Sequence, residues 1–189
     1  VGIGRQLLDE VCALLAADPG LPGAVNVNFS AVELSARGWL EHVVDTITRY
    51  GVDPRRLVVE VTETAVLSLL DGTHSDLVAL RALGVGVQVD DFGTGFSSIS
   101  LLRDLPVTGI KLDRSFVRDL TEDDSPANAL AAGVAGLAQG LHLAGIAEGI
   151  ETEAQRRVLV EQGWVHGQGY LFGRPEAVPR GSSIVDAWL

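Results

Sequence analysis

The chain is poor in sulfur and in positive charge. Cys12 is its only cysteine, and methionine is absent from all 189 residues. One cysteine excludes an internal disulfide, and without a Cys-x-x-Cys pair or a Cys/His cluster there is no zinc site built on sulfur and imidazole. That usage fits a reducing, cytoplasmic compartment, whether the protein is free there or forms the cytoplasmic part of a membrane-anchored one. Lys and Arg number 14 against 25 Asp and Glu, for a formal net charge of -11. Most of the surface would repel a phosphate backbone, which argues against a nucleic-acid polymer or an anionic membrane as the general partner. A small anionic ligand remains admissible where metal ions supply local positive charge.

Long apolar runs are missing as well. The least polar segment, Ala127 to Ala147, is interrupted by Asn128, Gln139 and His142 and does not read as a membrane span. No signal peptide, linker, low-complexity segment or second-domain boundary is evident. With 47% hydrophobic residues the chain has ample material for the core of one domain, residues 1–189. It opens at Val1, directly on a helix-like pattern, and so reads as a piece of a longer protein.

What is present is an alternation of two periods. Helix-like stretches fall near Gly4–Ala17, Trp39–Tyr50, Gly72–Leu83, Ser97–Leu105, Pro126–Leu141 and Glu153–Gln162, with a partial one from Ser183. Between them lie six β-rich runs, near Ala24–Phe29, Leu57–Val61, Val85–Val89, Gly109–Leu112, Leu143–Ala147 and Val165–Tyr170. Gly51, Gly84 and Gly163 serve as helix stops, and Ser125-Pro126 as a start. Such alternation predicts an α/β fold with parallel strands. Residues two apart share a strand face, which groups Asn26 with Asn28, Val58 with Glu60, Gln88 with Asp90, Lys111 with Asp113, Ile146 with Glu148 and His166 with Gln168. Every run therefore places a polar side chain near its carboxyl end, the arrangement expected of a TIM-type (β/α) barrel, whose active sites gather at that mouth. A full (β/α)8 barrel takes about 250 residues, so roughly two βα units are wanting, and they are expected upstream of Val1.

The densest chemistry lies at Val89-Asp90-Asp91-Phe92-Gly93-Thr94-Gly95. Adjacent carboxylates repel unless one keeps a proton or a cation lies between them, and a hard divalent ion is the simplest remedy. Gly93 and Gly95 let the chain turn sharply after the acids and approach a ligand closely. Locally, an ordinary strand-to-loop turn gives the same pattern. Trp39 and Trp164 read as packing residues, and Glu122-Asp123-Asp124 as a solvated loop.

Six motifs follow one another along the chain: Asn26-Val27-Asn28-Phe29-Ser30, Glu60-Val61-Thr62-Glu63, Asp90 to Ser98, Lys111 to Val117, Ala147-Glu148-Gly149-Ile150-Glu151 and Gln168-Gly169-Tyr170-Leu171-Phe172. In that order and spacing the chain resembles, along nearly its whole length, the EAL family of bacterial cyclic di-GMP phosphodiesterases. The resemblance implies a modified TIM-type barrel, here with six of about eight strands, that hydrolyses cyclic di-GMP to linear pGpG with two Mg2+ or Mn2+ ions. By the same resemblance Asn28, Glu60, Asp90, Asp91 and Glu148 hold metal. Lys111 holds the catalytic water and Asp113 lies beside it, Glu148 is a candidate general base, and Gln168 lies near metal-bound waters. Glu63 anchors the loop that begins Phe92, Gly93, Thr94 and Gly95. A homodimer and an upstream sensor or other signalling domain are implied partners. The Glu-Ala-Leu signature itself, with its metal-binding glutamate, does not occur in this sequence; truncation of a normal enzyme or a natural partial domain would explain that, and a start in mid-fold without methionine favours truncation. The alternative is a catalytically inactive EAL-type module that binds cyclic di-GMP or a protein partner. Retention of Glu60, Asp90, Asp91, Lys111 and Glu148 favours the enzyme.

Overall fold

The computed structural model describes residues 2–68, 73–95, 99–121 and 125–175. Helix α1 (Gly2–Ala17) leads into strand β1 (Val25–Phe29), followed by α2 (Ala31–Leu34), α3 (Trp39–Tyr50), β2 (Leu57–Thr62), α4 (Glu63–Ser68), α5 (Thr73–Leu83) and β3 (Gly86–Phe92). The chain continues through α6 (Ile99–Asp104), β4 (Gly109–Leu112), α7 (Arg114–Arg118), α8 (Pro126–Gly140), β5 (Ala144–Glu148), α9 (Glu153–Glu161) and β6 (His166–Gln168). The partial helix read from Ser183 and the acidic stretch Glu122–Asp124 lie outside the described residues.

All six strands are parallel and lie in chain order, β1-β2-β3-β4-β5-β6. A sheet whose strands never reverse their order needs every crossover to step the same way. Since such crossovers are right-handed, all the helices then fall on one face, as in a barrel and unlike a doubly wound sheet. Among the described residues β1 and β6 are the two edges, so the barrel is an open arc.

Strand alternation separates the two faces. Val27, Phe29, Leu57, Val59, Val61, Val87, Val89 and Ile110 point outward and pack with Leu8, Leu15, Val43, Ile47, Leu77 and Leu80 from the helices. Phe29 meets Trp39 edge-on, with ring centroids 5.5 Å apart, and Trp39 is a packing residue as its sequence context predicts. A second cluster joins Leu112, Val117, Ala131, Ala135, Ala147, Ile150, Leu159 and Trp164. The small side chains of α8 let it lie close to β4 and β5. No helix among the described residues is long and apolar enough to cross a membrane.

Three short helices, α2, α4 and α7, are absent from the sequence reading. None exceeds six residues, too few for a 3.6-residue period to repeat. Each instead starts directly after a strand end. β3 and β5 run further than read, to Phe92 and Glu148, and β6 is shorter, ending at Gln168.

The sheet's first edge is tied down by Glu33. Its Oε2 accepts from the Ser30 amide (3.0 Å) and hydroxyl (2.7 Å), completing a capping box on α2, while Oε1 accepts from the Gly4 amide of α1 (2.9 Å). Burial alone would raise this carboxyl, but the hydrogen bonds from Ser30 and Gly4 hold it below its ordinary 4.5. A lowered native value means that the stabilisation is complete above pH 4.5 and fades as pH falls through that native value. Glu33→Ala is therefore expected to cost about 1–2 kcal/mol at pH 7. The penalty, measured by urea unfolding, should shrink steadily as the pH is taken below 4.5.

Candidate active site

Lys111, near the carboxyl end of β4, is only 4% exposed. An ammonium so buried needs partners, because desolvating a lone charge costs several kcal/mol. Three carboxylates supply them. Lys111 Nζ lies 2.8 Å from Glu60 Oε1 and 3.2 Å from Asp90 Oδ1, and it also pairs with Glu148 Oε1. These acids come from β2, β3 and β5, so one lysine draws four neighbouring strands together on the polar face. Burial would lower the lysine's pKa, but the hydrogen bonds to Glu148 and Glu60 raise it above the ordinary range. Burial pushes the Glu148 carboxyl up; Lys111 pulls it back, Asp90 and Glu60 push with burial, and the net direction is upward.

Asp90 and Asp91 sit inside β3 rather than after it. Consecutive strand residues ordinarily face opposite sides, which would divide the two acids. The structure avoids this with a register shift between Val89 and Phe92 and a left-handed conformation at Asp91, φ 54°. Asp accepts that conformation at a cost of roughly 1–2 kcal/mol, less where its side chain bonds locally. The outcome is that Asp90, Asp91 and Glu148 each present a carboxylate oxygen, all within 4.8 Å of one another. Burial raises the Asp91 carboxyl, and the negative charges of Asp90 and Asp113 add to it, so this is a site short of positive charge even with Lys111 nearby. All of its donors are oxygens, which suits a hard divalent cation. The turn read as a property of the glycines thus begins two residues before Gly93, at Asp91 itself.

Beyond it the chain is held by Glu63, the first residue of α4 and 3% exposed. Glu63 Oε2 accepts from the amides of Gly93 (2.8 Å) and Gly95 (3.4 Å). Gly93 has φ 101°, where any side chain is strained, and a Cβ there would lie 2.8 Å from the Phe116 ring. Gly95 is needed for closeness rather than for torsion, since a Cβ would lie 2.6 Å from Glu63 Oε1. Thr94 closes the turn through its hydroxyl to the Asp91 carbonyl (2.9 Å), and Phe92 is buried beside Leu112. Phe96 to Ser98 lie outside the described residues.

The other expected residues fall around this centre. Gln168 Nε2 donates to Glu148 Oε1 (2.7 Å). Asp113 faces Asp91 and caps α7 by accepting from the Ser115 amide (2.9 Å) and hydroxyl. Ser115 and the neighbouring backbone amides hold the Asp113 carboxyl low although burial opposes them. Asn28 is exposed and pairs with Glu60 in the β1–β2 register. Glu60 is linked to Asp90 and Glu148 through Lys111. Sequence reasoning grouped Asn26 and Gln88 with the polar face without assigning either to the site. Asn26 donates to both Glu60 and Gln88, a contact across three strands that period-two alternation could suggest but not establish. An adjoining cavity of about 500 Å³ is lined by Arg114, Glu148, Glu151, Gln168, Tyr170 and Arg174, so two arginines and two glutamates share its wall.

An open arc of a parallel barrel, with acids and one buried lysine gathered at the carboxyl ends of its strands, defines a (β/α)-barrel domain with a candidate divalent-cation site. The chain belongs to the EAL domain family, whose profile it matches over residues 2–175. It is 38% identical over 178 residues to the bifunctional diguanylate cyclase/cyclic di-GMP phosphodiesterase MucR of Pseudomonas aeruginosa, covering 93% of this chain and 26% of MucR. It is 40% identical over 155 residues to the cyclic di-GMP phosphodiesterase PA2567 of that organism, covering 82% of this chain and 26% of the relative. The structure of the MucR phosphodiesterase in complex with cyclic di-GMP is similar with a TM-score of 0.88 at 37% identity, over 93% of this chain and 77% of that one. The manganese and cyclic di-GMP complex of Klebsiella pneumoniae BlrP1 gives a TM-score of 0.83 at 30% identity, over 91% and 44% of the two chains. The chain spans about a quarter of the length of the curated relatives it matches.

Two outcomes test the geometry. Lys111→Met leaves Glu60, Asp90 and Glu148 facing one another, and metal-free protein should lose about 3 kcal/mol at pH 7. Calorimetry should find part of that loss restored by Mn2+, a cation that replaces the missing ammonium. Glu63→Ala strips the acceptor from the Gly93 and Gly95 amides, and their hydrogen exchange should quicken by about tenfold or more while the β2 and β4 amides stay protected.

Proposed function

We propose that this domain hydrolyses cyclic di-GMP to linear pGpG at the mouth of its barrel. The observation that carries the reading is the gathering of Asp90, Asp91 and Glu148 within 4.8 Å, with Lys111 bridging Asp90 and Glu148 to Glu60. Asn28, Glu60, Asp90, Asp91 and Glu148 would hold two Mg2+ or Mn2+ ions. Such ions supply the Lewis acidity that attack on an anionic phosphodiester needs near neutral pH.

The chain's own groups have distinct tasks in that reading. Lys111 spends its three N–H donors on Glu60, Asp90 and Glu148, and it orients the attacking water with a donor released when a cation takes over one of those acids. Glu148, raised by burial and hydrogen-bonded to Gln168, is the acid suited to take its proton. Asp113 sets the start of α7 and adds negative charge at Asp91, which strengthens the site's demand for a cation. Glu63 fixes Phe92, Gly93, Thr94 and Gly95 and hence the backbone that aims Asp91. Arg114 and Arg174 offset Glu148 and Glu151 in the wall of the adjoining cavity and offer guanidinium donors to the phosphates of a dinucleotide.

Two further proposals rest on the relatives. Residues 1–189 are one EAL-type domain of a larger cytoplasmic signalling protein, a reading supported by relatives about four times as long as the matched stretch, among them the Escherichia coli oxygen sensor protein DosP. A homodimer is proposed from the family resemblance alone.

Chromatographic detection of pGpG after incubation with cyclic di-GMP and Mn2+ or Mg2+ tests the function, using this chain and a form extended upstream. Glu60→Ala and Asp90→Ala in the active form should each lower turnover by more than the roughly 10–100-fold typical of residues that merely support a ligand. Circular dichroism should leave both folded. Nucleotide binding with no product from either length would favour a receptor, and near-native rates in both variants would refute the assignment.

A further inference from the structure

Glu60 is held from two sides. Lys111 Nζ lies 2.8 Å from its Oε1, and Asn26 Nδ2 lies 2.6 Å from the same oxygen. Asn26 stands opposite Val58 in the β1–β2 register, two residues before Asn28, which is the direct neighbour of Glu60. Its side chain therefore reaches diagonally along the polar face, a distance that cross-strand neighbours can bridge. The carboxylate settles which way the amide points, since it can only accept, and a second contact follows from it. Asn26 Nδ2 is 3.3 Å from Oε1 of Gln88, and Gln88 pairs with Glu60 on its other side. Flipping the Asn26 amide would set its carbonyl oxygen against a carboxylate oxygen, with no proton to share between them. With Nδ2 directed at Glu60, its second proton is left for the Gln88 oxygen.

Lys111 alone does not fix Glu60. The same ammonium serves Asp90 and Glu148, so the pull it exerts on Glu60 changes whenever either of those acids takes another partner. Asn26 has no such divided role: its Nδ2 bonds link β1 to Glu60 of β2 and Gln88 of β3 and to no other acid. We propose that Asn26, oriented by Gln88, is a positioning residue for Glu60, occupying Oε1 together with Lys111 so that Oε2 is the oxygen turned toward a divalent cation. The inference rests on the reading of Glu60 as a cation ligand. A carboxylate freed from such a partner keeps its charge and loses its direction, and removing outer partners of ligands lowers metal affinity about 10–100-fold.

The test titrates the full-length protein with Mn2+, following binding by electron paramagnetic resonance and melting of the metal-free form by calorimetry. Asn26→Ala removes the donor, Asn26→Leu removes it while keeping the volume, and Gln88→Ala removes only the orienting contact. Both Asn26 variants should weaken Mn2+ binding about tenfold, with Gln88→Ala between them and the wild type. The Mn2+ concentration giving half-maximal hydrolysis should rise in parallel. A merely structural role for Asn26 would lower the metal-free melting temperature and leave Mn2+ affinity at the wild-type value, and that result overturns the proposal. Wild-type protein that binds Mn2+ without producing pGpG counts against the proposed activity, while the order of Mn2+ affinities still decides the role of Asn26. Wild-type protein that binds no Mn2+ overturns both.

Discussion

Lys111 can be buried only if Glu60, Asp90 and Glu148 arrive with it, and those acids can lie so close together only because Lys111 stands among them. The requirement is mutual and non-local. It joins β2, β3, β4 and β5 at one height along the sheet, so a slip of one residue in any of these strands would turn its charged member outward and strand its partners without compensation. The register of the sheet and the composition of the site are in this sense one constraint. The apolar outer face supplies the driving force for folding, and the charged inner face selects which alignment is adopted.

That arrangement explains why the short elements after the strands matter as much as the strands. α2 begins with the Ser30–Glu33 capping box, α4 begins with Glu63, and α7 begins after the Asp113 cap. Each is a turn of helix started directly off a strand end, and each carries a side chain that bonds backbone amides there. Glu33 reaches to α1 and Glu63 to the chain after β3, so the mouth of the barrel is braced by acids that do not themselves belong to the carboxylate cluster. Their chemistry is that of acceptors for amides, and those amide bonds set them apart from the acids around Lys111, whose surplus of negative charge is what calls for a cation.

Much of this was legible in the chain. The polar residue near the end of each β-rich run, read with period two, puts Glu60, Asp90, Lys111, Glu148 and Gln168 on one face, and the alternating pattern gives six parallel strands in an open barrel. The short helices escaped because fewer than seven residues carry no measurable periodicity. The continuation of β3 to Phe92 escaped because Asp-Asp followed by glycine has the local signature of a turn. Asn26 lay on the correct face but gave no sign of its reach to Glu60 and Gln88.

The sequence by itself determined the fold class, the face on which the chemistry lies and the kinds of donor available, because alternation and side-chain identity are local properties that any part of the chain carries with it. Tertiary structure alone decided which acids meet, that Asp91 turns through a left-handed conformation to join Asp90 and Glu148, and that Asn26 binds Glu60. Those outcomes depend on the relative height of strands separated by some thirty residues and on electrostatic energies that exist only once the groups have left water together.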